Sequence, residues 1–425
     1  MRVVVIGGGV VGLCCAYELA RAGADVTIVE RDRCGSGASF GNAGWVVPSL
    51  SAPMPAPGIT AQALKMILGS DGSLRLRPKL DPDFLRWCWR FWRNSTQERY
   101  EAGLRAILAL NHQTIDLYKD LYDSGVEFEM HQSGLLIATL SEETLEEYVE
   151  LLDDARVAGY AGEVELLGKE ALLELEPALS DAVVGGVYAK DDLHVRPDTL
   201  VSGLASYLVA RNVSILENTE VHGLEHAGKG GWVVSTSREK LAADRVVVAA
   251  GMWSSEFLAK LGVRIPLEAG KGYSVTASGS GIKPRHAMKL AEPNVACSPF
   301  EDAVRISGIF ELGGRDLSVN RRLLEGVLSS ASVFLREWVV EEPRFEWAGL
   351  RPSTPDDLPL IGAIPNMEHL YVATGHGMLG VTLAPSTAVA MVPLVLEDRL
   401  PGVLEPFRVG RFSAHRGRAQ KKPYS

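Results

Sequence analysis

Apolar and polar positions along this chain come in blocks whose period changes, and the blocks predict its elements. Residues 3–6 are an unbroken run of β-branched side chains, VVVI, short enough for a buried strand. Residues 10–22 are rich in helix formers and predict a helix that Gly23 ends. Residues 26–29 predict a second buried strand, closing at Glu30. Further on, 80–123 reads as helical, 128–140 as strands, 142–158 as helical, and 168–179 as a short helix stopped at Pro177. Pro197 opens a predicted helix that runs to Ala210, followed by a strand and turn over 213–225. A hairpin-like pair then leads into a buried strand at 245–250 that ends in Gly251. Period-two alternation with frequent turns over 264–320 predicts an antiparallel sheet, and 321–338 a helix. Residues 369–396 predict a buried strand, a glycine turn and a last helix. The pieces that suit one parallel sheet therefore lie at the start, near 197–251 and at the end, with antiparallel pieces between them, which is an α/β fold class with a discontinuous first domain.

The first turn carries chemistry. Gly7, Gly9 and Gly12 have the G-x-G-x-x-G spacing between a strand and a helix. Gly7 allows the sharp turn, Gly9 lets a pyrophosphate approach the backbone, and Gly12 lets the helix pack close to the sheet. The helix N-terminus offers N–H groups to phosphates. Glu30, 18 residues after Gly12, stands where a carboxylate accepts bonds from a ribose 2′-OH and repels a 2′-phosphate. The fingerprint by itself leaves FAD and NAD open. The loop at 35–58 is rich in Gly, Ser and Pro, and its prolines at 48, 53, 55 and 57 exclude regular structure over much of it. Loops this long are usually functional or disordered, and its apolar content favours function.

The 425 residues exceed one ordinary core, so two or three units are expected. A net charge of −10 argues against broad nucleic-acid binding. The five cysteines show no C-x-x-C pair and no His partner at zinc spacing, which suits a reducing cytoplasm, and no metal site is expected. No apolar run reaches the ~18–20 residues needed to span a bilayer. Residues 84–93, FLRWCWRFWR, place Arg86, Arg90 and Arg93 on one helical face among five aromatics. A helix packed on the protein body with its arginines in water fits this pattern. So does a helix lying in a membrane interface, peripheral to the inner face of a membrane.

Taken together, RVVVIGGGVVG, SFGNAGWVVPSLSAPMPAPG, LEPAL, KGYSV, WAGLRPSTPDDLPLIG and ATGHGMLGVTLAP, in this order from residue 2 to about 412, resemble the D-amino acid oxidase/dehydrogenase superfamily of FAD enzymes, with a glycine-oxidase-like fold. The similarity is greatest to its bacterial D-amino acid dehydrogenase branch. The resemblance implies a Rossmann-type FAD-binding domain formed by 1–80, 145–225 and 340–412. It implies an inserted antiparallel-β substrate domain formed by 81–144 and 226–339, leaving 413–425 as a basic tail. It implies non-covalent FAD, with Gly7, Gly9, Val10, Val11 and Gly12 at the first turn and Glu30 and Arg31 after the second strand. Ser39, Asn42, Ala43 and Gly44 in the loop, and Val221, Ala250, Gly251 and Trp253 in the middle of the chain, join them. Gly375, His376, Gly377, Met378, Gly380 and Thr382 complete the cofactor set at the last turn.

The resemblance also makes Arg351, in GLRP, the residue that holds a substrate carboxylate. An arginine fork binds a carboxylate by two parallel bonds, and the structural alternative is an ion pair to Asp356 or Asp357. Tyr273 is expected at the pocket wall or on the substrate, His376 near the flavin, Lys271 on flavin or a carboxylate, and Arg305 as a second clamp. The implied reaction is oxidative deamination of a D-amino acid by hydride transfer from Cα to flavin N5. A small or cyclic substrate such as D-proline or 4-hydroxy-D-proline suits the departures in the 41–54 loop. Oxygen or a quinone-linked carrier would take the electrons. Rival readings are a sarcosine- or glycine-type amine oxidase and a flavoprotein subunit of a larger electron-transfer complex.

Overall fold

A computed structural model describes residues 1–58, 74–77, 79–227, 230–337, 339–341 and 344–412. Six strands form one sheet in the order Ser214–Leu216, Asp25–Val29, Arg2–Ile6, Arg245–Val248, Leu370–Thr374, Leu360–Ala363. Neighbours along the first five strands run parallel and the last is antiparallel. Both faces of this sheet are covered, which explains the unbroken apolar runs in the sequence. Val3 and Val5 point to the face covered by the helices Val10–Arg21 and Gly380–Glu397. Val4 and Ile6 point to the other face, against Trp232 and Val234 of the antiparallel sheet Val221–His226, Trp232–Thr236, Lys240–Ala243. The strands Arg2–Ile6, Asp25–Val29, Arg245–Val248 and Leu370–Thr374 all end at one edge, so the turns after them meet there.

The second large sheet runs Phe345–Ser353, Glu268–Ala277, Val304–Leu312, Val295–Pro299, Ala287–Leu290, Leu135–Thr139, Gly185–Ala189, Val164–Gly168, with Leu74–Leu76 also paired to Val304–Leu312. Helix Arg321–Phe334 packs Leu324, Val327 and Phe334 on it. It is not purely antiparallel: Ala287–Leu290 pairs parallel with Leu135–Thr139, and Val304–Leu312 parallel with Leu74–Leu76. Alternation along one strand reports burial on its two faces and carries no information on the direction of its partner.

Sheet membership also departs from the expected domain boundaries. Val164–Gly168, Gly185–Ala189 and Phe345–Ser353 join the second sheet, although their residues fall within the ranges expected for the FAD domain. Arg245–Val248 lies at the centre of the first sheet, as expected of the pieces near 197–251, although it falls within 226–339, the range expected for the other domain. The long helical stretch at 80–123 is three helices, Pro82–Asn94, Gln97–Asn111 and Thr114–Asp123. Helix Gly380–Glu397 is long and apolar enough to cross a bilayer, contrary to the count of apolar runs, but 67% of it is buried inside the protein. The basic tail at 413–425 lies outside the described residues.

Candidate active site

The first turn is built as its glycines require. Gly7 has φ +114°, and a Cβ there would stand 2.5 Å from the Ala249 carbonyl oxygen. A Cβ at Gly12 would stand 2.0 Å from the Gly7 oxygen, so helix Val10–Arg21 sits directly on the turn. The Val10 N–H donates to Ser39 Oγ (3.0 Å). Glu30 accepts from the Gly8 N–H (2.7 Å) and the Asp32 N–H (2.9 Å), which fixes its carboxylate at the end of its strand. The Arg31 guanidinium lies over the Trp253 ring at 4.8 Å.

A cavity of about 570 Å³ takes in this turn and the space beyond it, reaching Arg351, Trp347 and the turn at 376–380. Gly7, Gly9, Val10, Val11, Glu30, Arg31, Ser39, Asn42, Val221, Ala250, Gly251 and Trp253 all line it, as do His376, Gly377, Met378 and Gly380. These glycine turns, the helix N-terminus and the ribose-side carboxylate in one long cavity fit a dinucleotide. Gly12, Ala43, Gly44, Gly375 and Thr382 do not line it. Thr382 Oγ1 donates to the Trp45 carbonyl (3.1 Å) and accepts from the Val47 N–H (3.3 Å). The Ala43 carbonyl accepts from Ser298 Oγ (2.7 Å), and a Cβ at Gly44 would meet the Val195 oxygen at 1.9 Å. Gly375 has φ +77° and no room for a side chain beside Thr354. Asn42 locks its own loop, donating to the Ser39 carbonyl (2.7 Å) and accepting from the Gly44 N–H (2.7 Å).

Arg351 lies on strand Phe345–Ser353 opposite Gly270. Its Nη1 donates to the Ile309 carbonyl (3.2 Å), and its guanidinium is 5.8 Å from the centre of the Phe310 ring. It makes no ion pair among the described residues, and burial pushes its pKa down to about 10. The structural alternative, a salt bridge to Asp356 or Asp357, is not realised. Asp356 is held by Arg411 (2.8 and 3.0 Å), and Asp357 accepts from the Met54 N–H (3.0 Å). The cavity thus contains a cationic fork with room for an anion.

Three expected site residues lie elsewhere. Tyr273 is 1% exposed, packs with Val275 and Leu324, and does not line the cavity. Lys271 is fully buried and pairs with Asp316 (2.8 Å). Arg305 donates to the Asn42 carbonyl (2.8 Å) and to Thr276 Oγ1 (2.7 Å), which ties it to the loop at 40–42, and it does not line the cavity. Strand register decides each of these, and residue type alone does not report it. His376 lines the cavity with Nε2 on Thr387 Oγ1 (3.1 Å), and burial pushes its pKa down to about 3, so the ring is neutral. Sequence reasoning missed Trp347, whose indole fits between Gly41 and Gly349 and lines the cavity. The only signal for it is the absence of side chains at those two glycines.

The family model described as FAD dependent oxidoreductase (DAO) matches residues 2–394. The chain is 34% identical over 407 residues to a D-amino acid dehydrogenase of Methylobacterium sp. (strain 4-46), covering 93% of this chain and 95% of the relative. It is 33% identical over 415 residues to one of Bradyrhizobium diazoefficiens, covering 95% of each. Its fold is similar to that of glycine oxidase from Geobacillus kaustophilus, with a TM-score of 0.75, 24% identity, and coverage of 96% of this chain and 99% of that one.

Proposed function

The chain belongs to the DAO family of FAD-dependent oxidoreductases, and from that premise we propose that it dehydrogenates the α-amine of a D-amino acid. The single observation that carries the reading is Arg351, a cation without an acidic partner among the described residues, in the cavity that also takes in the dinucleotide turn. Bound FAD supplies a two-electron acceptor. Arg351 holds the substrate carboxylate through parallel N–H bonds and restricts its rotation, which is where most of the protein's contribution lies. The low-dielectric cavity favours the neutral amine. The neutral His376 ring is a poor proton acceptor, so the ammonium proton leaves to solvent. The imine product hydrolyses to a 2-oxo acid and ammonia, or stays cyclic if the substrate is a proline.

The Trp347 indole, which lines the same cavity as Arg351, supports a compact substrate such as D-proline or 4-hydroxy-D-proline. The test is anaerobic. D-amino acids, D-proline, cis-4-hydroxy-D-proline, sarcosine and glycine are added singly to the purified yellow protein. Bleaching by a D-acid and not its L-form supports the reading, and admitting air then shows whether oxygen or another carrier is the acceptor. Bleaching by sarcosine or glycine alone favours the simple amine oxidase. No bleaching by any of them favours the partner-dependent flavoprotein.

Peripheral membrane contact has its own observation. In helix Pro82–Asn94, Phe84 and Trp87 are buried, and the Trp87 indole donates to the Ser353 carbonyl (3.1 Å). Leu85, Trp89 and Trp92, spaced i, i+4 and i+7, are each more than half exposed, with Arg93 over the Trp89 ring. An aromatic stripe flanked by arginines supports contact with a lipid interface.

A further inference from the structure

Strands Glu268–Ala277 and Val304–Leu312 are regular on either side of one irregularity. Lys271 pairs with Glu311 and Tyr273 with Gly308, so Ile309 and Phe310 both stand opposite Gly272. Ile309 sits at φ +64°, a left-handed conformation that a β-branched residue rarely adopts. The carbonyl of this bulged residue is the acceptor of the Arg351 Nη1 bond. On the facing strand, a Cβ at Gly272 would lie 2.0 Å from Nη1 and 2.3 Å from Cζ of Arg351. The guanidinium therefore lies flat on bare backbone, tethered from one side by the bulge. Nε and Nη2 have no hydrogen-bond partner among the described residues.

We propose that Gly272 is a positioning residue, which with the Ile309 carbonyl forms a socket that sets where the Arg351 fork meets a substrate carboxylate. This rests on the reading of Arg351 as the carboxylate anchor. The atoms that the added methyl of Gly272→Ala would strike are the far end of a flexible side chain. The protein relieves that clash by swinging the guanidinium, and the fold is kept. Ile309 gives the socket its carbonyl, while its side chain packs against the core beside helix Arg321–Phe334.

The test uses FAD-loaded protein and non-oxidisable monocarboxylates (acetate, propionate, cyclopentanecarboxylate), read by the change in flavin absorbance. Gly272→Ala is expected to raise the carboxylate Kd and the substrate KM at least about tenfold. It is expected to leave the flavin content unchanged. In an Arg351→Met background, Gly272→Ala changes the Kd by less than about twofold, because its effect passes through the missing fork. Retention of the wild-type Kd by Gly272→Ala, or an undiminished Gly272→Ala effect in the Arg351→Met background, overturns the inference while the anchor reading stands. Equal carboxylate affinity of wild type and Arg351→Met overturns the anchor reading itself.

Discussion

Replacing Arg351 with methionine separates function from stability at one position. Methionine has similar length and no charge. Removing one partner of a buried charge pair in a complex typically costs about 2–5 kcal/mol. At about 1.36 kcal/mol per decade this lowers kcat/KM by about 30-fold to several thousand-fold. The free protein responds in the opposite direction. There the guanidinium is partly buried and bonded to one carbonyl, and burial has already drawn its pKa down to about 10. Exchanging a poorly compensated buried charge for an apolar group of like volume is often neutral or stabilising. Arg351→Met should therefore keep or raise Tm and keep its flavin while losing most of its kcat/KM. Steady-state kinetics with the substrate found anaerobically, together with a thermal melt followed by flavin fluorescence, measure both. A variant that melts several degrees lower and sheds FAD would refute the reasoning, because Arg351 would then be a structural cation. So would a kcat/KM within about threefold of wild type.

Three further outcomes follow from the same geometry. Glu30→Ala removes the acceptor of two backbone N–H groups at the ribose end, and should weaken FAD retention about tenfold or more on dialysis, with an unchanged flavin spectrum. Asp192 is buried against Ser49, beside Asp191 and Tyr160, and its pKa is pushed up to about 7 by burial. The folded protein then keeps a proton that the unfolded chain releases near pH ~4, so the stability it contributes is full below about pH 4 and is lost as pH rises through about 7. Asp192→Asn cannot ionise, and its Tm relative to wild type should rise between about pH 5 and pH 8; a flat difference refutes the assignment. Trp89→Ser with Trp92→Ser should abolish sedimentation with phosphatidylglycerol vesicles and leave kinetics unchanged, whereas equal sedimentation of variant and wild type removes the membrane reading.

What the sequence by itself determined is local. The strand, glycine turn and helix at 3–22, and the acid at Glu30, are legible because each depends on residues close in the chain and on φ values that glycine alone supplies. Arg351 and the turn at 375–380 enter from the sequence through the family resemblance that their motifs carry. The tertiary structure decided how the alternating strands of the second sheet pair, since period-two alternation specifies faces and leaves partners open. It decided that Tyr273 faces a packed core and that Arg305 serves the loop. It also made Arg351 a fork without an acidic partner among the described residues, by committing Asp356 to Arg411 and placing a bulge at Ile309 against Gly272. A bulge is a mismatch between the registers of two strands, and neither strand contains it alone.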